Sequence, residues 1–455
     1  KIDYSKGIYD ARQLGAGRMF ILGVQHMFAM FGATVLVPLL TGLSVSTTLL
    51  CAGLGTLLFH FLTKRKVPAF LGSSFAFIGG YAAVAPMLED GTPNKEMLPY
   101  ACFGVMLAGL MYVILSALFK IFGTKTVMRF FPPIVTGPVI ICIGLTLSST
   151  AITNCRDNWA IALIAIAIVV GCNIWGKGMV KIIPILLGVV GSYGVAVICQ
   201  VTGMHTMDPA KLQALADAPW IGLPFQFQDT LFGLFSRPDL DTGLLLTAAV
   251  TIMPLSLATM VEHIGDMCAI SSTCERNYLQ DPGFHRTLLG DGLATTLASI
   301  FGAPANTTYG ENTGVLALSK VYDPRVIRIA AGLAILFSFS PKFAALVSAM
   351  PTATMGGVSM VLYGMISAVG VRNVVENQVD FTNSRNVIIA ALIMVLAIGI
   401  NYSGAVTFQV GEATISLSGL AVAAITGIVL NAILPGKDYE FGSDEKGDTA
   451  VNFKV

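Results

Sequence analysis

Apolar residues gather along this chain into long blocks, and the blocks recur often enough to fill it. A helix that crosses a hydrocarbon layer of about 30 Å needs about 20 residues. Read as such helices, the blocks give fourteen segments: 18–40, 44–63, 70–88, 98–120, 132–150, 158–175, 181–202, 242–270, 287–304, 308–322, 326–350, 352–370, 387–404 and 413–434. Three of them, 70–88, 287–304 and 308–322, are short or interrupted by Gly, Ser and Pro. The expected fold is an all-α polytopic membrane protein.

Polar residues inside these blocks carry the next clue. Glu262 lies in the apolar run from Leu244 to Ile270, and Glu311 follows Asn306-Thr307-Thr308-Tyr309-Gly310. A carboxylate at bilayer depth is costly unless it faces protein or water, so it marks a substrate or proton path by default. The first half of the chain echoes the second. Gln25-His26 precedes Glu262-His263 by 237 positions, and the same offset carries Ser73-Ser74 onto Gly310-Glu311. Pro132 and Gly137 match Pro351 and Gly356 at an offset of 219. Fourteen segments divide into seven plus seven, and an odd number per copy inverts the second copy. The expectation is an inverted repeat with one site at the repeat interface.

An even number of crossings puts both termini on one side, and basic residues mark the cytoplasmic side. With these boundaries 22 of the 27 Lys and Arg fall on the termini side, the exceptions being Lys95, Arg156, Lys211, Arg237 and Lys342. Both termini are expected in the cytoplasm and the protein in a bacterial cytoplasmic (inner) membrane. The 203–240 connection, with Trp220, Phe225, Phe227 and Phe232, is expected at the membrane interface rather than as a separate domain.

Composition agrees. The chain is 55% hydrophobic and 12% charged, with a mean hydropathy of +0.75, which excludes a water-soluble domain. A net charge of +1 argues against a nucleic-acid partner. The polar stretch Lys1–Arg18 has no signal-peptide pattern, and the missing initiator Met suggests a trimmed chain. Eight scattered cysteines without a Cys-x-x-Cys indicate neither a zinc site nor a disulfide framework. Gly123-Thr124-Lys125-Thr126 lacks the glycine and spacing of a phosphate-binding loop. No cofactor, metal cluster or catalytic nucleophile is indicated.

Phe70-Leu71-Gly72-Ser73-Ser74-Phe75-Ala76-Phe77 and Asn306-Thr307-Thr308-Tyr309-Gly310 lack helical periodicity and read as extended chain. Non-helical backbone at membrane depth must be buried in protein or line a cavity. Two short strands paired there would satisfy each other. Each would lead into a half-helix whose free N–H groups suit an oxygen-bearing ligand. Glu262 and Asp266, four apart, share a helix face. Two such carboxylates in low dielectric do not both ionise readily, which suits a proton-coupled carrier. His26 reads either as a third partner or as a core histidine satisfied by backbone. Asp266 has a structural alternative as a bond to a neighbouring helix, and Glu311 as a helix-start residue favoured by the dipole. Asp291 reads as a cap or hinge near the cytoplasmic face, and His60 and His285 as interfacial. His263 points to a different helix face from Glu262.

These residues also carry a resemblance. Gln25-His26-Met27-Phe28-Ala29-Met30-Phe31-Gly32-Ala33-Thr34-Val35-Leu36-Val37-Pro38, Pro68 to Phe77 and Asn306 to Asn312 resemble bacterial uracil permeases of the nucleobase–ascorbate transporter (nucleobase:cation symporter-2) family. The family signature, Gln or Glu followed by Asn-x-Gly, stands here as Glu311-Asn312-Thr313-Gly314. The resemblance runs from about Val24 to Ala432 and implies a fourteen-segment inverted repeat with two short antiparallel strands in segments 3 and 10. It implies a core domain (18–120 and 242–350) and a gate domain (132–202 and 352–434). It implies a homodimer and proton symport of a nucleobase by elevator-type alternating access. Carried over, Glu262 and Glu311 bond the nucleobase, the N–H groups of Phe75 and Gly310 meet its carbonyls, Ser74, Tyr309 and Ala33 sit beside the ring, and Tyr363 closes over it. His26, Glu262, Asp266 and Glu311 form the proton-linked set. Where uracil permeases have His four residues after the helix-8 Glu, this chain has Asp266, as purine-carrying relatives do. Glu311, where purine carriers tend to have Gln, points back to uracil. A purine symporter (xanthine or uric acid) is the near alternative, and a nucleobase channel or intramembrane enzyme the distant one.

Overall fold

The computed structural model describes residues 4–411 and 413–439. The first two blocks form α1 (Ala16–Thr41) and α2 (Val45–Leu62), the latter started by Ser44, whose hydroxyl accepts from the Thr47 N–H. The third block begins extended, as β1 (Leu71–Ser73), before α3 (Ile78–Val84); α4 (Leu98–Phe122) follows. Next come α5 (Thr124–Met128), α6 (Pro133–Thr146), α7 (Ser148–Cys155), α8 (Trp159–Trp175), α9 (Met179–Ile182) and α10 (Pro184–Val201). The connection 203–240 contains two short helices, α11 (Pro209–Asp217) and α12 (Leu231–Phe235), and it exposes Trp220, Phe227 and Phe232. The second half runs α13 (Thr242–Ile252), α14 (Leu255–Cys274), α15 (Phe284–Phe301), β2 (Asn306–Thr308), α16 (Gly310–Ser319), α17 (Pro324–Ser338) and α18 (Pro341–Ser348). It ends with α19 (Thr352–Glu376), α20 (Ser384–Ser403), β3 (Val406–Val410), β4 (Ala413–Leu417) and α21 (Gly419–Ile433).

Three expectations change, each for a local reason. The block 242–270 is two helices, bent by 40° between Ile252 and Leu255. Pro254 lies in the break, has no N–H to donate and crowds the preceding turn. The block 326–350 bends by 91° before Pro341, where the Ser340 hydroxyl restarts the chain by accepting from the Phe343 N–H. The fold is also not purely helical ahead of the last helix. Residues 406–410 and 413–417 pair as an antiparallel hairpin, Val406 opposite Leu417, with Gly411 at φ +64°. Val406, Phe408 and Val410 alternate there with polar residues, the period of a strand rather than of a helix. Seven helical stretches among the described residues are long and apolar enough to cross a membrane, or nine if each bent pair is one span. Helices α8 and α21 are shorter than that, and β1 and β2 take up part of two further blocks.

The helices pack in two groups. In one, α15 lies against α4 and α2, α17 against α2 and α1, and α13 against α4. In the other, α19 lies against α6, α7 and α8, α10 against α8, and α20 against α21 and α6. Glycines set the closest approaches in each group. A Cβ on Gly292 would stand 2.7 Å from the Gly109 carbonyl, and one on Gly370 would stand 2.7 Å from that of Gly137. Small residues let apolar helices close on each other in the absence of any other strong attraction. Pro132 and Pro351, paired in the sequence echo, are the extended residues just before α6 and α19. Gly356 packs against Asn154 and Cys155, so it serves close packing within this group.

Gly72 is the tightest point of the strand region. A Cβ there would meet the Tyr309 ring at 2.4 Å and Thr34 Oγ1 at 2.6 Å, whereas one on Gly79 meets nothing within 4 Å. Gly72→Ala is expected to cost about 1–3 kcal/mol by overpacking, and Gly79→Ala to cost nothing. Thermal unfolding of the two variants in detergent checks this; equal melting temperatures would contradict the packing.

Candidate functional site

The two strands cross the middle of the first helix group. Leu71 stands opposite Thr308, Gly72 opposite Thr307 and Ser73 opposite Asn306. The ladder is lengthened at its ends by Tyr309 N–H to the Phe70 carbonyl (3.0 Å) and Ser74 N–H to that of Ala305 (2.8 Å). Side chains fasten it to the helices. Asn306 Nδ2 donates to the Cys51 and Ala294 carbonyls at 3.2 and 3.3 Å. Ser73 Oγ donates to the Thr34 carbonyl (3.0 Å), and Thr56 Oγ1 accepts the Leu71 N–H (3.0 Å). Both strands are buried, so this irregular backbone meets the requirement that non-helical chain at membrane depth be enclosed.

Beyond the strands the chain turns into α3 and α16, and the first N–H groups of a helix have no partner within it. Among the described residues neither the Phe75 nor the Gly310 N–H has a protein acceptor. Gly310 is exposed, and a Cβ there would meet nothing within 4 Å. Across from it, α14 presents Glu262, Gly265 and Asp266 as partly exposed residues within an otherwise buried stretch, and the space beside Gly265 is open too. Glu262 lies within Coulombic range of Glu311, and Asp266 of both. Glu262, Asp266 and Glu311 therefore lie near one another, with the open Gly310 beside Glu311.

The neighbours are apolar and aromatic. Tyr309 donates its hydroxyl to the Ser73 carbonyl (2.8 Å), which fixes its ring over Gly72. Ala33, Phe75 and Tyr363 are buried, and the Phe75 and Tyr363 rings meet edge to face with centroids 6.0 Å apart. Phe75 belongs to the first helix group and Tyr363, on α19, to the second. Asp266 accepts from Thr308 Oγ1 at 2.7 Å, so it is fastened to β2. His26 does not join the carboxylates directly. Its Nδ1 lies 3.2 Å from Asn312 Nδ2, which also donates to the His26 carbonyl (3.0 Å). Among the described residues several buried polar atoms around this place lack a protein partner: Ser74 Oγ, Thr307 Oγ1, Glu262 Oε2, His26 Nε2 and Asn312 Oδ1. Buried polar groups are normally bonded, so these atoms are the ones open to polar groups of a ligand.

A family model described as "Permease family" matches residues 17–405. The uracil permease of Bacillus subtilis is 38% identical over 445 residues, covering 95% of each chain. That of Bacillus caldolyticus is 40% identical over 430 residues, covering 92% of this chain and 93% of its own. The chain belongs to the nucleobase:cation symporter-2 permease family. Among solved structures, the transmembrane domain of the cyanobacterial bicarbonate transporter BicA superposes with a TM-score of 0.55 at 15% identity, covering 94% of this chain and 99% of that domain. That likeness concerns the fold. The permease is thus a multi-pass membrane protein, as its apolar helices require.

Within the permease, Glu311-Asn312-Thr313-Gly314 forms the first turn of α16. Glu311 is partly exposed next to Gly310, and Asn312 turns back to hold α1 through His26. Asp291 corrects the sequence reading. It is neither cap nor hinge but lies fully buried inside α15, 2.7 Å from His263 Nδ1, while His263 Nε2 meets Thr287 Oγ1 at 3.0 Å. Successive helix residues diverge by about 100°, so His263 turns to α15 as Glu262 turns to the site. The signal available in sequence was a second acid and an imidazole in apolar surroundings; their pairing across 28 positions was not. His60, read as interfacial, is buried at the end of α2 with Nε2 2.8 Å from the Ala69 carbonyl.

Proposed function

We propose that the permease imports uracil by proton symport across the bacterial cytoplasmic membrane, through an elevator-type movement of a core past a gate. The convergence of Glu262 and Glu311 on one spot beside the free N–H groups of Phe75 and Gly310 carries this reading. Uracil offers two ring N–H donors and two carbonyl acceptors; carboxylates accept from the first and backbone N–H groups donate to the second. The B. subtilis and B. caldolyticus relatives bear the name uracil permease, which supports the substrate. Ser74, Ala33, Tyr309 and Tyr363 shape the flat slot for the ring. The acids Glu262, Asp266 and Glu311 hold the coupled proton, with His26 bonded to Asn312, the residue that follows Glu311.

In this proposal the fourteen segments form a seven-plus-seven inverted repeat with both termini cytoplasmic. The core comprises 18–120 and 242–350, the gate 132–202 and 352–434, a division supported by the two packing groups of helices. The gate also supplies a homodimer contact; α19 and α20 expose Val375 and Val395 on its surface.

The nearest rival substrate is a purine, suggested by Asp266 in place of His. The bond from Thr308 engages that carboxylate with the protein itself, which favours uracil. Competition decides between them. Excess uracil is expected to displace labelled uracil at least tenfold better than xanthine, hypoxanthine or guanine, since a misfit group costs about 1–3 kcal/mol. A purine that competed more strongly would reverse the assignment. In proteoliposomes an acidic exterior is expected to drive uphill accumulation of unmodified uracil, and a protonophore to reduce it to equilibrium. Accumulation that followed sodium and ignored pH would refute proton coupling. Flux that never exceeded equilibrium would indicate a channel.

A further inference from the structure

We propose that the permease binds the phosphate headgroup of an anionic phospholipid in a basic pocket at one end of the α2–α17 pair, with an acyl chain lying along α2. The pocket, about 270 Å³, is lined by Arg65, Lys66, Arg276, Arg325 and Arg328 together with Asp323. It contains neither Glu262 nor Glu311. Lys66 is neutralised by Asp281 (2.6 Å), and Arg325 by Asp323 (3.0 Å) and Asp10 (3.3 Å). Asp10 stays ionised, its carboxyl held down at about 2 by hydrogen bonds from Arg12. Arg65, Arg276 and Arg328 make no ion pair among the described residues. Three guanidinium groups outside these ion pairs converge on one cavity, and guanidinium forks match the oxygens of a phosphate.

The cations are also positioned. Arg276 lies 3.7 Å over the Tyr9 ring, a contact that attracts the cation to the ring face. Arg328 NH1 lies 3.5 Å from His60 Nδ1. Arg65 sits in a left-handed turn at φ +58°, its N–H bonded to the His60 carbonyl at 2.7 Å. Each follows or begins a helix: Arg65 after α2, Arg276 after α14, Arg328 near the start of α17. Those are the levels at which charged headgroups meet the ends of spanning helices.

The second observation separates a lipid from a free phosphate compound. A neighbouring cavity of about 380 Å³ shares Arg65 and Arg328 with the first and is otherwise lined by Leu57, His60 and Phe61. Phe61 is 69% exposed on the flank of α2. A cationic cup that opens onto an apolar wall fits a headgroup with its chain. The bound headgroup would tie together the N-terminal segment, the end of α2, the start of α17 and the end of α14, the helix that carries Glu262.

The test titrates purified, delipidated permease in detergent with phosphatidylglycerol, phosphatidylcholine and glycerol 3-phosphate, counting bound molecules by native mass spectrometry. Phosphatidylglycerol is expected to saturate one strong site that phosphatidylcholine does not fill and glycerol 3-phosphate does not compete for. Loss of each cation should weaken it about fivefold, so Arg65→Gln with Arg328→Gln should weaken it far more than Arg65→Lys. Phe61→Asn should weaken the lipid as well. Arg65→Gln alone, in a surface turn, gives the same reading if the double variant fails to fold by circular dichroism. Equal binding of phosphatidylcholine, or undiminished phosphatidylglycerol binding in folded Arg65→Gln, overturns the proposal. Full competition by glycerol 3-phosphate overturns the lipid in favour of a soluble phosphate ester.

Discussion

Glu262→Gln is expected to weaken uracil binding by roughly tenfold to hundredfold while the protein stays folded, and Glu311→Gln to do the same. Each carboxylate offers only acceptors, and each ring N–H of uracil only a donor. An amide in its place turns half of that group into a donor facing a donor. Removing one side of a buried, charge-assisted bond costs about 1.5–3 kcal/mol, and about 1.4 kcal/mol is a factor of ten in affinity. The fold should survive because neither glutamate anchors another element. Glu262 Oε2 has no protein partner among the described residues, and Glu311 lies in the first turn of α16. Equilibrium binding of labelled uracil, with melting temperature as the control for folding, reads the outcome. Near-native binding by either variant would remove that residue from the site. By contrast Asp266→Asn, whose oxygen can still accept from Thr308, should keep binding and lose proton dependence.

A disulfide between α16 and α9 is expected to abolish transport and spare binding. A Cβ on Gly314 would stand 3.6 Å from Ile182 Cγ2, an ordinary contact. Gly314→Cys with Ile182→Cys therefore sets the Cβ of one residue against a γ position of the other, near the arrangement of a bridge, whose Cβ atoms lie about 3.5–4.5 Å apart. Gly314 belongs to the proposed core and Ile182 to the proposed gate. If the core carries the site past the gate, a bond between them holds one state. Uptake should fall to background on oxidation and return with a reductant, with uracil binding unchanged throughout. The eight native cysteines are buried or half-buried, and each single-cysteine variant serves as control. Undiminished uptake after complete bridging would show that α16 and α9 do not part during transport.

Much of this permease is legible in its sequence because a bilayer is a severe selector. Long apolar blocks, two acids within them and stretches without helical period pointed to membrane helices, to Glu262 and Glu311 and to the strands at 71–73 and 306–308. The physics behind each reading is local: burial of apolar surface, the cost of charge in hydrocarbon and the backbone habit of small and β-branched residues. The breaks at Pro254 and Pro341 were written in the sequence as well, but a proline in an apolar run fixes neither the angle nor the direction of the bend. The 406–417 hairpin was visible only as a weak alternation beside a much stronger helical block.

Other features depend on residues that meet only after folding. Nothing local pairs His263 with Asp291 or directs Asp266 to Thr308. No period or motif tells that Gly72 must be bare because Tyr309 crosses it, or that Phe75 and Tyr363 touch. Arg65, Arg276 and Arg328 are three ordinary basic residues at helix ends until the packing of α2, α14 and α17 brings them around one cavity. The sequence by itself determined which side chains are too polar for their surroundings, since desolvation acts on each residue alone. Only the tertiary structure decided which partners relieve that polarity and which groups are left open to a ligand, because hydrogen bonds and close contacts are properties of pairs.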